Sequence, residues 1–297
     1  PALYVALYAF TEPGDGVIVQ TPAYHHFVGA TEDTGRRVLE NRLLVDENGR
    51  YTIDFDDLRA KAKDAKLLFL CSPHNPSGRV FTPEELRMIG DICLENDVLI
   101  VADEIHHDLV RKGLTHTVYA SLGERYAERC VVCTSLSKTF NLAGLCFASI
   151  IIPNADLRKR FRKTMATHGF KHTSRFGPVA HEAAYREGDA WLDGLLDYIQ
   201  GNYEYFKAFM VQHFPKVTVT ELEGTYLAWF NCKSFGMTDA ELQKFMTDDC
   251  LLYLDNGYEF GEAGSGYQRI NLACPRKILA DALDRLYAGA KAKGLTT

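Results

Sequence analysis

The order of apolar and polar stretches predicts an α/β fold built on a mainly parallel sheet. Short runs that are apolar on both faces, such as Val98-Leu99-Ile100-Val101-Ala102, alternate with stretches whose apolar residues recur at helical spacing. Each apolar run stops at a cluster rich in Pro, Gly, Asp or Ser, and alternation of this kind implies right-handed crossovers between parallel strands. At 297 residues and 46% hydrophobic content, the chain can bury a large core and a smaller second one. The expected division is a large domain over residues 1–195 and a smaller α+β domain over 196–297.

An apolar, helix-like pattern is already under way at Pro1 with no initiator Met before it, so the chain is expected to begin inside a domain whose N-terminal part is missing. The turn-rich Glu12-Pro13-Gly14-Asp15-Gly16 leads into a strand at Val17-Ile18-Val19, which ends in Gln20-Thr21-Pro22-Ala23-Tyr24. Arg37 to Leu44 reads as a strand and Asp54 to Lys63 as a helix. Lys66 to Cys71 reads as an apolar strand stopped by Pro73, Pro76 and Gly78. Thr82 and Glu85 make a capping box, Pro83 takes the first helical position, and Leu86, Ile89 and Cys93 share one face. That helix ends near Asn96-Asp97. The strand from Val98 to Ala102 stops at Asp103-Glu104-Ile105-His106-His107-Asp108, and the next, Cys130 to Cys133, runs into Ser135-Leu136-Ser137-Lys138. A strand at Phe147 to Ile152 and a basic helix at Asp156 to Thr167 follow. A long helical pattern from Trp191 to Phe214 bridges into the smaller domain. There, strands are expected at Lys216 to Thr220, Tyr226 to Asn231 and Arg269 to Leu272, with helices from Thr238 and from Arg276.

The net charge of −6 supplies no basic field for nucleic acid or anionic lipid. No apolar run is long enough to cross a bilayer and no leader-like segment opens the chain, so a cytoplasmic protein with no membrane partner is expected. The eight cysteines are scattered through apolar runs, which favours reduced core thiols. Cys130 and Cys133 have C-x-x-C spacing, but in an extended strand they point to opposite faces and do not share a metal.

In a parallel sheet, ligands bind beyond the carboxyl ends of the strands. Four ends then share one crevice, supplying Tyr24, Asn75, Asp103 with His106, and Ser135 with Ser137 and Lys138. A lone lysine at a strand end is more often a surface residue, and it is the company of the other three ends that changes the weighting. An aromatic ring, an amide, a carboxylate and an amine at one edge match the needs of pyridoxal phosphate (PLP). Lys138 would form the Schiff base, Asp103 would pair with the pyridinium nitrogen, and Asn75 would donate to the ring hydroxyl. Tyr24 would lie on the ring face, with Ser135 and Ser137 on the phosphate. Asp103, Glu104, His106, His107 and Asp108 also make a dense set of potential metal ligands. A metallohydrolase drawn from them leaves Lys138, Asn75 and Arg269 without tasks, so no metal is expected.

Ser-Pro-His-Asn-Pro-Ser-Gly (72 to 78), Ala-Asp-Glu-Ile-His (102 to 106), Ser-Leu-Ser-Lys (135 to 138) and Arg-Ile-Asn-Leu-Ala (269 to 273) occur in the order seen in fold-type I PLP enzymes, and the chain resembles the class I/II aminotransferase superfamily. Lys-Thr-Phe-Asn-Leu-Ala-Gly (138 to 144), Gly-Thr-Tyr-Leu-Ala-Trp (224 to 229), Gly-Tyr-Glu-Phe-Gly (257 to 261) and Ala-Cys-Pro-Arg (273 to 276) look like its cystathionine β-lyase branch, the MalY/PatB type. The resemblance implies an aspartate-aminotransferase-like fold, a homodimer, and a cofactor-binding set of Tyr24, Asn75, Asp103, His106, Ser135, Ser137 and Lys138. It also implies an amino-acid substrate held by Arg269, whose planar fork suits an α-carboxylate; otherwise a structural ion pair is the commoner use of such an arginine. The implied reaction is β-elimination of a thiol from cystathionine or a cysteine S-conjugate, with an aminotransferase as the alternative. A PLP-binding regulatory module or inactive fragment is a further one. Many aminotransferases carry a tyrosine where this chain has His106 and an arginine where it has Cys146, eight residues beyond the lysine. The loop His172 to Gly177 lies, in similar dimers, near the partner's phosphate.

Overall fold

The computed structural model describes residues 1–170 and 174–296. Helix α1 (Ala2–Phe10) buries Val5, Ala6, Leu7 and Ala9, and strand β1 (Gly16–Thr21) is buried at every position. Helix α2 (His25–Asp33) carries the chain to β2 (Arg37–Arg42), which lies parallel to β1 with Leu39 opposite Ile18. The strand expected through Leu44 divides at this point. Leu43 donates its N–H to Thr21 O as the last rung of the parallel ladder, and the exposed β3 (Leu44–Val45) turns away to pair with β4 (Tyr51–Thr52).

Asp54 caps α3 (Phe55–Ala62) by accepting from Asp57 N, and β5 (Ala65–Cys71) follows. In α4 (Pro83–Glu95) the Thr82 and Glu85 side chains each take the other's backbone N–H, the reciprocal box read from the sequence. Strand β6 (Leu99–Asp103), the short α5 (Glu124–Ala127), β7 (Cys130–Thr134) and β8 (Ser149–Ile151) complete the sheet. Its order is β2-β1-β5-β6-β7-β8, parallel throughout except that β8 runs antiparallel to β7. The chain moves outward from β1 to β2 and then back across β1 to β5, so a crevice opens between β1 and β5 where the winding reverses.

Alternation along the strands feeds two cores. Ile18, Leu68, Ile100, Cys130 and Val132 pack with Leu58 of α3 and Leu86 and Ile89 of α4. Val17, Val19, Phe69, Val101, Val131 and Cys133 pack on the other face with Val5, with Phe27 and with Phe161 of α6 (Ala155–Thr167). Cys130 and Cys133 therefore sit in different cores, as a period of two demands. All eight cysteines are free.

Helix α7 (Phe176–Glu187) leads into α8 (Asp189–His213), an unbroken helix that contains the expected boundary between residues 195 and 196. Beyond it lie β9 (Thr218–Val219), β10 (Leu227–Asn231), α9 (Asp239–Lys244), β11 (Asp255–Asn256), β12 (Tyr267–Asn271) and α10 (Arg276–Ala292). The four strands form an antiparallel sheet, β11-β12-β10-β9, with its own core of Tyr203, Phe206, Met210, Phe230, Ile270, Leu279 and Leu283. This sheet is tied to the first by backbone bonds from Glu223 and Gly224 to Gly78 O and from Thr225 to Leu109 O. Among the described residues, no helix is long and apolar enough to cross a membrane.

Candidate active site

Parallel register brings the carboxyl ends of the central strands level. Cys71 lies opposite Asp103 and Asp103 opposite Cys133, and the ladder continues one rung further through Ser72 N to Asp103 O and Glu104 N to Cys133 O. The loops carrying Asn75, Asp103 and Lys138 therefore leave adjacent strands on the same edge.

Asp103 is part-buried, and its Oδ1 accepts the N–H of Ile105 at 3.2 Å. No other hydrogen bond reaches this carboxylate among the described residues. Burial pushes its pKa up to about 6, against the opposing pull of the Ile105 N–H and the Lys138 charge. Glu104 faces the opposite way, taking Tyr119 N at 2.7 Å and His116 Nε2 at 3.0 Å.

His106 is 3% exposed, and its Nδ1 is buried without a hydrogen-bond partner. Burial first, then the charges of Lys138 and Arg269, push its pKa down to about 3, so the ring is neutral across the physiological range. Its edge meets the Tyr226 ring at 6.0 Å.

Lys138 is part-buried in the turn that follows β7, where Phe140 N bonds Leu136 O and Leu142 N bonds Ser137 O. Its ammonium has no ion pair or hydrogen bond among the described residues. Ser135 gives its hydroxyl hydrogen to Phe147 O at 2.6 Å and accepts from Ser137 N at 3.1 Å, while the two serine hydroxyls lie 2.8 Å apart. Both hydroxyls thus brace the turn in this structure. They turn toward an anion only by exchanging these neutral bonds for stronger, charge-assisted ones.

Arg269 comes from the second sheet. Nε and Nη2 both donate to Asp255 Oδ2, at 3.0 and 2.7 Å, and Nη1 donates to Asn75 Oδ1 at 2.6 Å. The guanidinium lies 4.7 Å over the Phe260 ring. Among the described residues three of its five N–H groups are thereby engaged and two remain for a ligand. Phe260 O accepts Ala23 N at 2.9 Å, which brings this loop against the end of β1. The loop closes on itself at Gly257 and Gly264, where a Cβ would fall 2.0 and 2.1 Å from the other's carbonyl oxygen.

Tyr24, part-buried at the start of α2, meets the rings of His25 and His26 edge-on, both at 4.8 Å. Burial and then Asp103 raise the pKa of its phenol while Arg269 lowers it, which places tyrosine, acid and arginine within one field.

The whole of this edge lies within one region of sequence similarity. Residues 1–286 match the family described as aminotransferase class I and II. The chain belongs to that family. It is 42% identical over 97% of its length to cystathionine β-lyase PatB of Bacillus subtilis, of which it spans 74%, and 33% identical to the MalY protein of Escherichia coli, of which it spans 69%. Among solved structures, cystalysin from Treponema denticola, which contains a PLP cofactor, superposes with a TM-score of 0.97 at 39% identity, covering 99% of this chain and 75% of that one. A PLP-bound C–S lyase from Staphylococcus hominis superposes with a TM-score of 0.89 at 32% identity, covering 97% of this chain and 75% of that one. The aspartate-aminotransferase-like fold expected from the motifs is the fold observed.

In this aminotransferase-family chain, Cys146 stands exposed in a left-handed conformation (φ 50°) and brings no cation to the edge. Of the loop 172–177, His172 and Thr173 lie outside the described residues, and Phe176 and Gly177 open α7. Glu104, His107 and Asp108 bond to groups of the fold, and no cluster of three or more His, Cys, Asp or Glu arranged to hold a metal occurs among the described residues. Sequence reasoning missed Asp255, Phe260 and Tyr226 as neighbours of the site. Asp255 is the cross-strand partner of Arg269, a relation visible only once β11 and β12 are in register.

Proposed function

We propose that this chain is a PLP-dependent carbon–sulfur β-lyase that cleaves cystathionine or a cysteine S-conjugate to pyruvate, ammonia and a thiol. The observation that carries the reading is a lysine amine that has no partner among the described residues, at the same sheet edge as a carboxylate that is costly to ionise and an arginine with two N–H groups unengaged among those residues. These unmet groups, with the orphaned His106 Nδ1, fit a flat, cationic-ringed, aldehyde-bearing molecule. When bound, PLP supplies an aldehyde for amines and a ring that withdraws electrons from the substrate Cα. Lys138 would hold the cofactor through its aldehyde and, once freed, would take the substrate Cα proton as general base. Asp103 would pair with the ring nitrogen and hold a proton there, a partner that favours its carboxylate form. Arg269 would grip the substrate α-carboxylate, Asn75 would orient the ring hydroxyl, and Tyr24 and His106 would lie against the ring. Ser135 and Ser137 serve the phosphate. The electron pair left at Cα by that deprotonation would expel a thiolate from Cβ, and water would hydrolyse the released enamine to pyruvate and ammonia.

The relatives favour elimination over amino transfer, since PatB is named a cystathionine β-lyase and the Staphylococcus protein a C–S lyase. Free cysteines throughout suit a reducing cytoplasm. The exposed apolar side chains of Phe176, Val179 and Trp191 support a homodimer. Purified protein given PLP and cystathionine decides the reaction. Pyruvate and homocysteine released without added keto acid are the expected products, and strict dependence on a keto acid would make the chain an aminotransferase.

A further inference from the structure

The backbone between Thr134 and Thr139 has no strand or long helix to brace it, yet both ends are tied to two consecutive residues of the loop after β6. His107 Nδ1 lies 2.9 Å from Thr134 Oγ1 and 2.7 Å from Glu104 O. His107 Nε2 lies 3.2 Å from Asp108 Oδ1, and Asp108 Oδ2 accepts the hydroxyl of Thr139 at 2.9 Å. A carbonyl oxygen only accepts, so Nδ1 carries the hydrogen that points to Glu104 O. The Thr134 hydroxyl is a second partner of the same N–H, and the covalent link from His107 to Asp108 joins this tie to the one on Thr139.

We propose that His107 and Asp108 are positioning residues for Lys138, closing a side-chain bridge from Thr134 to Thr139 that aims the amine at the Asp103 edge. The inference rests on the reading of Lys138 given above. Because the Lys138 ammonium has no partner of its own among the described residues, its position is set by the turn alone. Thr139 is adjacent to Lys138 and wholly buried, so its hydroxyl registers the turn against the β6 loop. A slack turn spreads the amine over a larger volume, and misplacement by about 1 Å costs on the order of a hundredfold in reactions that depend on orientation. Asp108→Ala removes the acceptor of the Thr139 hydroxyl, whereas Asn would still bond that hydroxyl through its amide.

The test uses the full chain, stripped of cofactor and mixed with PLP. Capture is followed by borohydride trapping and peptide mass, and the fold by circular dichroism. Asp108→Ala and Thr139→Val are expected to slow covalent capture at Lys138 by about tenfold each, and the double variant to be no slower than the worse single one, because both break the same bridge. Thr139→Ser restores the wild-type rate. In the cofactor-free variants an arylating amine reagent modifies Lys138 faster than in wild type, the opposite sign, because a loosened turn exposes the amine. Capture at the wild-type rate in a folded Thr139→Val protein, or effects that multiply in the double variant, would overturn the proposal. Undiminished covalent capture by Lys138→Ala would instead overturn the assignment of Lys138 itself.

Discussion

The turn after β7 and the middle of β12 each bring a cation to the Asp103 edge, and they hold it in opposite ways. Arg269 is gripped by Asp255, Asn75 and the face of Phe260, with three of its N–H groups engaged. Among the described residues Lys138 has no partner for its charge, while the turn beneath it is pinned through Ser135, His107 and Asp108. A fixed charge suits a group that must recognise the same carboxylate in every substrate. A free amine on a fixed base suits one that must bond, release and take a proton within a single turnover. The chain thus rigidifies the side chain in one case and the backbone in the other.

The largest effect is expected where the free cation is removed. Lys138→Ala should lose the visible absorption of bound cofactor, and elimination should fall by more than about ten-thousandfold, beyond the usual cost of removing a general base. A variant that retained both would erase the distinction between the two cations. Arg269→Lys keeps the charge but not the fork, the bond to Asn75 or the stacking on Phe260. It is expected to lower kcat/KM by about a hundredfold, chiefly through KM, with the cofactor absorption unchanged. A loss confined to kcat would move Arg269 into the chemical step.

The acid that both cations face gives a smaller, two-signed effect. With its folded pKa raised to about 6, Asp103 stabilises the cofactor-free fold only when protonated, and that contribution is lost as pH rises from about 4 to 6. Asp103→Asn should therefore stabilise the cofactor-free protein at pH 7, by at most about 3 kcal/mol, while weakening PLP binding. Thermal melts with and without PLP check the crossing of signs, and a variant destabilised in both states would contradict it. His106 works the other way. Its pKa is depressed to about 3, so its stabilisation is present above pH 6.5 and is lost as pH falls toward 3. Replacing it with Asn should relieve on the order of 2 kcal/mol of acid sensitivity at pH 5. Buried His74, depressed to about 4, keeps the same window in the variant and serves as its internal control in the acid titration.

Much of this arrangement is legible in the chain because strand ends are marked by abrupt changes of residue type. Cys71 to Asn75, Ala102 to His106 and Cys133 to Lys138 each pass from apolar to polar within a few residues, and the parallel register then aligns them. Local signals with a side-chain mechanism, such as the Thr82 and Glu85 box, transfer directly into structure. Helix α7 was not legible. Of its twelve residues only Gly177 is buried, so no apolar stripe distinguishes it from a loop. The helix after Tyr24 begins with His25-His26 and contains Gly29, residues with no strong helical preference, and it is held by burial of Phe27, Ala30 and Thr31. The antiparallel direction of β8 and the pairing of Asp255 with Arg269 are long-range relations that local pattern does not encode. The roles of His107 and Asp108 were hidden for a related reason. As a cluster of acids and imidazoles they resemble ligands, and only the positions of Thr134 and Thr139 reveal what they hold.

Borohydride reduction of the protein loaded with PLP, followed by peptide mass analysis, tests the central claim most directly. The account predicts one pyridoxyl addition, on the peptide that carries Lys138, and none in Lys138→Ala. Addition at a different lysine, or equal labelling of the variant, would contradict it.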